Sequence, residues 1–350
     1  MRRIVFVSVS AAVLLAVPAG AVADAGPRSA GKPTPASVFG AIGHISTETD
    51  AQVRAFWTPQ RLHEARAYPV TPATTTVSPP ARLPAEPAGP AVSVPGSSPT
   101  VRTQSAQVPA VLPGARSKVW TNHVDAPATT IGKLFFRAPH GLAWCTATVI
   151  SAPNNNTIWT AGHCVSDGHR HFYSDWLFVP DNWSVYKPFG TWTAYKEYVP
   201  DLWFNLSLHG YDFAAIALRV RSGQRVENLT GSQGFKFGYG TWDWKGLYAF
   251  GYPSEVFDPL RPVNGSLMRY CTGNAWKSAF SIFAQENLHC DMGPGASGGP
   301  WLQDLQLSRG WGYLVADTSN HYGDDNSLNM RGPHLGSTAL AVYNAVKNLP

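Results

Sequence analysis

Apolar and polar positions along this chain do not keep one rhythm. From residue 131 onward, short runs of β-branched and aromatic residues at 131–137, 145–151, 157–160, 176–179, 213–220, 247–251 and 312–316 are separated by clusters of Pro, Asn, Gly and Asp. That is the pattern of strands bounded by turns. Only at 338–347 do apolar residues recur at helical spacing, with Ala339, Val342, Tyr343 and Val346 on one face and Lys347 near the end, where a cation suits the helix dipole. The pattern predicts an all-β domain with a C-terminal helix. A smaller patterned island lies at 47–66. There Thr47-Glu48-Thr49-Asp50 precedes Val53, Phe56 and Trp57, and Thr58-Pro59 sets a capping residue ahead of a proline suited to the first helical position. Two short helices are expected.

The chain opens with Arg2 and Arg3, an apolar run to Val17, and small residues ending at Ala23, which reads as a secretory signal over 1–23 taking the ordinary export route. No stretch approaches the ~20 uninterrupted apolar residues of a spanning helix, so no membrane role is expected. Residues 24–116 are rich in Pro, Ala, Ser, Thr and Val; 16 of the 29 prolines precede residue 117, but only one of the 13 tryptophans, Trp57, does. Such a segment buries too little apolar surface to offset its ordering entropy. It is expected to be a mostly disordered leader, a pro-segment that masks the downstream domain or helps it to fold, with a plain tether as the alternative. Residues 117–350 hold the other tryptophans and all four cysteines and form the globular part, with an internal boundary near 225–245. They carry 17 Lys+Arg against 17 Asp+Glu, so the net +5 of the chain lies in residues 1–116. A nucleic-acid partner loses its main support.

Four cysteines in an exported chain allow three pairings. Cys145 precedes the loop that carries Cys164, so a 145–164 bridge would staple that loop and leave Cys271 and Cys290 to brace the approach to residue 297. The cysteines lack the C-x-x-C spacing of zinc sites.

Three motifs carry chemistry. Gly295-Ala296-Ser297-Gly298-Gly299-Pro300 places a serine among backbone amides that a tight turn can aim at one point, as an oxyanion hole requires. A serine hydroxyl needs a base to take its proton. Thr160-Ala161-Gly162-His163-Cys164 supplies a histidine at a strand end. Tyr211-Asp212-Phe213-Ala214 supplies a carboxylate at the head of an apolar run, where burial demands a donor and an imidazole N–H is a suitable one.

Taken together and in this order, the three motifs resemble the signatures of chymotrypsin-like serine peptidases, and Cys290-Asp291-Met292 makes the chain more similar to secreted bacterial enzymes of the glutamyl-endopeptidase-like branch than to animal trypsins. The resemblance covers about 117–350. It implies two perpendicular six-stranded antiparallel barrels, with His163 and Asp212 from the first and Ser297 from the second. By the same resemblance Ser297 is the nucleophile, His163 the base, Asp212 its orienting group, and the N–H groups of Gly295 and Ser297 the oxyanion donors. The implied activity is hydrolysis of polypeptides through an acyl-enzyme, by a secreted monomer without a cofactor, falling in acid as the imidazole is protonated.

One departure matters. Animal enzymes of this type carry an aspartate before the nucleophile to receive a new N-terminal amine; here that residue is Ala296. Maturation is expected instead to remove the leader, after Arg102 or Arg116. For specificity, Asp291 lies six residues before Ser297, where trypsin-like enzymes select Lys or Arg, and His321, after the strand at 312–316, is placed to receive an acidic side chain.

The rival readings are an α/β-hydrolase esterase, since Gly295 to Gly299 also matches a nucleophile elbow, with Asp317 or Asp324 and His321 or His334 as partners, and a catalytically silent binding protein displaying Trp176, Trp183, Trp192, Trp203, Trp242 and Trp244. The elbow requires a helix after the serine, whereas Pro300-Trp301-Leu302 reads as a strand. Large rings in an all-β domain are more often core than platform. His169 and His171 read as a solvated turn, and Asp324-Asp325 as a weak calcium candidate.

Overall fold

The computed structural model describes residues 39–69, 86–99, 114–184, 186–257, 261–278, 285–321 and 328–350. The expected signal over 1–23, Arg102 and the Asp324-Asp325 pair lie outside them. Six strands, Ile131–Ala138, Gly141–Ile150, Thr157–Thr160, Ser174–Pro180, Trp192–Pro200 and Ala214–Leu218, pair antiparallel and close on themselves. Trp192–Pro200 bonds to Ala214–Leu218 on one side and to Ser174–Pro180 on the other, and the latter returns to Ile131–Ala138. The strand at 192–200 escaped the sequence pattern because Lys196 and Glu197 interrupt its apolar run. Glu197 is fully buried all the same.

The second half begins at Gly234. A seven-stranded sheet runs in the order Val92–Val94, Gly234–Phe237, Trp311–Asp317, Pro300–Gln306, Leu247–Gly251, Arg269–Gly273, Lys118–Val119. A four-stranded sheet holds Trp276–Lys277, Gln285–His289, Asn329–Pro333 and Asn320–His321. The expected second barrel is therefore built from two sheets packed around Trp301, Leu247, Leu288, Met292 and Met330, with the Cys271–Cys290 disulfide passing from one to the other. The second disulfide joins Cys145 to Cys164, so of the three possible pairings the one read from the loop spacing is present. The C-terminal helix spans Ser337–Val346 and buries Ala339, Leu340, Val342, Tyr343 and Val346.

The leader is folded wherever it is described. Ala41–Ile45 adds an antiparallel strand to Trp192–Pro200, Arg66–Ala67 pairs in parallel with Gly141–Ile150, and Val92–Val94 extends the second sheet. Between the first two come the two expected helices: Asp50–Phe56, with a capping box between Thr49 and Gln52, and Pro59–Glu64, capped by Thr58 with proline in its first turn. Composition did not disclose this docking, because the apolar surface that orders the leader belongs to the barrel. In Ile131–Ala138, Leu134 and Phe136 enter the main core while Phe135 faces the other way. Phe135, Trp144, Leu177 and Val179 form an outer apolar face, and Val53, Trp57 and Ala65 of the leader cover it. Both faces of these strands are buried, so the sequence shows a continuous apolar run rather than alternation.

Polar groups are matched across the same junction. Glu197 accepts from Ser46 and from His44, the latter at 3.0 Å, so the side chains that bond this buried carboxyl both belong to the leader. Burial pushes the Glu197 pKa up, whereas the hydrogen bond to Glu197 raises that of His44. Further along the leader, Glu86 accepts from Ser337 Oγ at 3.0 Å and the Thr338 N–H at 2.6 Å, satisfying a free donor at the start of the C-terminal helix. Trp57 is 5% exposed, and its indole N–H donates to the Asp175 carbonyl. Trp57→Ala should therefore destabilise the full chain by about 3–5 kcal/mol, read from urea unfolding. A loss below about 1 kcal/mol, as expected of an exposed site, would refute the docked arrangement.

Candidate active site

The strand Thr157–Thr160 ends in a 3-10 turn, Gly162–Cys164, and the disulfide from Cys164 fixes that turn to the neighbouring strand. His163 on it meets Asp212, which follows a second 3-10 turn, His209–Tyr211, and precedes Ala214–Leu218. The Asp212 carboxylate accepts the His163 backbone N–H at 2.7 Å and lies 2.8 Å from His163 Nδ1. Ser319 Oγ donates a third bond at 2.5 Å. Asp212 is 0% exposed, and burial alone would raise its pKa. The charge of His163 and the bonds from His163 and Ser319 outweigh that effect and hold the carboxyl below its ordinary range.

Ser297 sits in a turn docked on the first barrel. Thr146 N–H donates to the Ser297 carbonyl at 2.8 Å, and Thr146 Oγ1 donates to the Gly295 carbonyl at 2.8 Å. Gly295 has φ +92° and Gly298 φ +76°, conformations that favour glycine. A Cβ at Gly298 would also come within 2.1 Å of Thr160 Oγ1. The carbonyls of this turn are thus engaged from outside, while the N–H groups of Gly295 and Ser297 donate to no group among the described residues. Ala296 is fully buried in the second core beside Met292 and Trp301, an apolar surrounding in which a carboxylate would have no place.

His163 Nε2 is buried and has no hydrogen-bond partner among the described residues, so a bond to Ser297 is not formed. The leader lies over it. The ring of Tyr68 is nearly parallel to that of His163, 6.2 Å between centroids and 21° between planes. A cavity of about 760 Å³ remains alongside, lined by Arg66, Tyr68, His163, Asp167, His169 and Trp203.

Asp291 and His321 each have partners of their own. Asp291 is fully buried; one oxygen accepts the Ser117 N–H at 2.8 Å and the other pairs with Arg261 at 3.0 Å. His321 Nε2 bonds to the Met292 carbonyl at 2.5 Å, and its ring packs on Phe257. The strand Pro300–Gln306 follows the serine turn directly, so the helix required by a nucleophile elbow is absent there. His334 bonds Glu286, and Asp317 accepts from Trp159 Nε1, so neither is the partner that an esterase would need. The exposed His171 pairs with Asp167 at 3.0 Å in its own turn. The tryptophans proposed as a platform are divided: Trp176, Trp192, Trp203 and Trp244 are buried, whereas Trp183 is exposed beside Tyr186.

Sequence reasoning missed Ser319, Thr146 and Tyr68, and named Asp317 only as a partner in the esterase reading. The first follows a strand that was recognised, but a lone serine there has no pattern of its own. Asp317 is a second buried carboxyl close to the first. Burial, and then the charge of Asp212, push its pKa well above the carboxylate range.

No protein-family profile matches the chain, and no curated protein does. Solved structures do. The chain is similar to the protease Anisep from Arthrobacter nicotinovorans at 30% identity and TM-score 0.58, covering 65% of this chain and 100% of that one. A thermostable serine protease, AL20, from an extremophilic microorganism is 26% identical with TM-score 0.58, over 64% of this chain and 99% of that one. A Glu endopeptidase at 22% identity and TM-score 0.52, over 67% of this chain and 97% of that one, shares the fold. With its closed six-stranded barrel and two disulfides, the chain belongs to the chymotrypsin-like serine proteases.

Proposed function

We propose that this serine peptidase is a secreted endopeptidase using Ser297 as nucleophile, His163 as general base and Asp212 as the group that orients and stabilises the imidazolium. The observation that carries the reading is the double hold of Asp212 on His163, through the backbone N–H and through Nδ1. A ring fixed in this way keeps Nε2 free to accept a proton. In the proposed cycle Ser297 Oγ attacks the scissile carbonyl and His163 Nε2 takes the hydroxyl proton. The same nitrogen then returns it to the leaving amine, and water releases the acyl group by the reverse path. The unengaged N–H groups of Gly295 and Ser297 supply donors for the oxyanion, each worth about 3–4 kcal/mol in barrier height in comparable sites. His163 and Asp212 come from the first barrel and Ser297 from the second set of strands.

Two disulfides suit an oxidising compartment and so favour the secretory reading of residues 1–23. The pairing of Asp291 with Arg261 argues against a preference for Lys or Arg. The proposed substrates are polypeptides, the protein acts as a monomer, and the leader is its own intramolecular partner.

Ser297→Ala and His163→Ala, made in a chain freed of its leader contact with His163, should each lower kcat by on the order of 10⁴-fold or more. The measurement is hydrolysis of a quenched fluorescent peptide, with a fluorophosphonate label marking Ser297 in the parent. Undiminished turnover in either variant would reject the assignment.

Asp317 gives an independent handle. The unfolded chain gives up this proton in the ordinary carboxylate range, whereas the native state, with its raised pKa, keeps it to higher pH. Native stability is therefore lost as pH rises through that interval. Asp317→Asn retains an acceptor for Trp159 and has no proton to lose. Its Tm relative to the parent should climb between pH 5 and pH 8, and a difference that stays constant would show that Asp317 ionises normally.

A further inference from the structure

We infer that residues 66–69 of the leader plug the active site by adding a strand to the edge of Gly141–Ile150, holding the peptidase inactive until they are lifted away. This inference rests on the roles proposed for Ser297 and His163. Four observations meet at this place. Arg66 and Ala67 stand opposite Ala143 and Trp144, and the Tyr68 N–H donates to the Trp144 carbonyl at 3.0 Å. The Tyr68 ring lies over His163, and its hydroxyl is 2.8 Å from that of Tyr173. On the other side, the methyl of Ala67 sits against Gly295, 3.1 Å from where a Cβ there would be. Pro69 then ends the strand, since it has no N–H to continue the ladder. Consecutive residues of the leader thus lie against the base and against Gly295 of the serine turn.

What the plug presents to these groups explains why it survives beside them. An acyl transfer needs a peptide carbonyl at the serine with its oxygen on the amides of Gly295 and Ser297. The leader offers a phenol ring to His163 and a methyl group to Gly295. It occupies the site with side chains, and it takes the Trp144 carbonyl, so that no other extended chain can pair there.

Three residues of strand pairing are weak in isolation. Here they are tethered to a folded unit: the two capped helices, Trp57 against Phe135, and the strand Ala41–Ile45 on Trp192–Pro200. Such a tether makes plug binding intramolecular, with an effective concentration on the order of millimolar or above. It also separates two jobs within the leader. Residues 39–65 secure the attachment, and residues 66–69 close the site.

The test compares full-length parent, Tyr68→Ala, Tyr68→Phe and a chain with residues 66–69 replaced by Gly-Ser-Gly-Ser. Each is assayed for peptide hydrolysis and for the rate of fluorophosphonate labelling, with the Tm of each recorded to establish folding. Tyr68→Ala and the replacement should raise both rates at least about tenfold, the effect of one lost aromatic anchor. Tyr68→Phe, which loses only the Tyr173 contact, should fall between. Equal rates in the parent and all variants, with Ser297 labelled throughout, would overturn the plug and leave the catalytic assignment standing. Absence of labelling in every folded variant would overturn the catalytic assignment and the plug together.

Discussion

A carboxylate with no access to water stays ionised only where protein donors replace the water it has lost, and Asp212 is such a group. Its donors are the backbone and ring of His163 and the hydroxyl of Ser319. They come from the turn after Thr157–Thr160 and from the chain that leaves Trp311–Asp317, one in each half of the molecule. The charge therefore has its partners only when the barrel and the second set of strands are folded against each other. Gly162 belongs to the same constraint, since a Cβ there would press on Asp212 Oδ1 at 3.1 Å and on the Trp203 ring at 2.8 Å. The neighbouring Asp317 shows the other solution to burial. With one indole donor and a second carboxylate nearby, it holds its proton to higher pH than an ordinary carboxyl does.

The parts of the fold that could be read from sequence are those in which local pattern and tertiary role agree. The strands at Thr157–Thr160 and Leu247–Gly251 combine β-branched or aromatic residues with turn signals at both ends, and their limits match the pattern. The capped helices of the leader and the C-terminal helix were visible for the same reason: each cap or periodic face is a local feature. Trp192–Pro200 and Gln285–His289 were hidden because each carries a glutamate inward, Glu197 and Glu286, which looks like a solvent position until its partners are known. Those partners, His44 and Ser46 for one and His334 and Trp244 for the other, lie far away in the chain.

The site divides along the same line. His163, Asp212 and Ser297 stand in motifs whose neighbours are demanded by chemistry, so type and spacing betray them. Ser319 and Tyr68 act through contacts that no motif announces. Asp291 is instructive, because a carboxylate at a suggestive spacing says nothing about whether a cation within the protein already claims it. Arg261 does. The strands by which the leader attaches were missed because proline and alanine content describes what a segment can bury by itself, whereas these strands pair with strands of the globular part.

The attachment of Glu86 to the first turn of the C-terminal helix has a bearing on how this molecule comes apart. With Ala41–Ile45 on the barrel, Val92–Val94 on the second sheet and Glu86 on the last helix, a single stretch of chain is sewn into three separate regions. Cutting that stretch at any one point leaves the remaining stitches in place, so a nicked molecule can keep its parts together as a noncovalent assembly. Severing a peptide bond and shedding a fragment are then distinct events, and an electrophoretic gel that reports the first says nothing about the second.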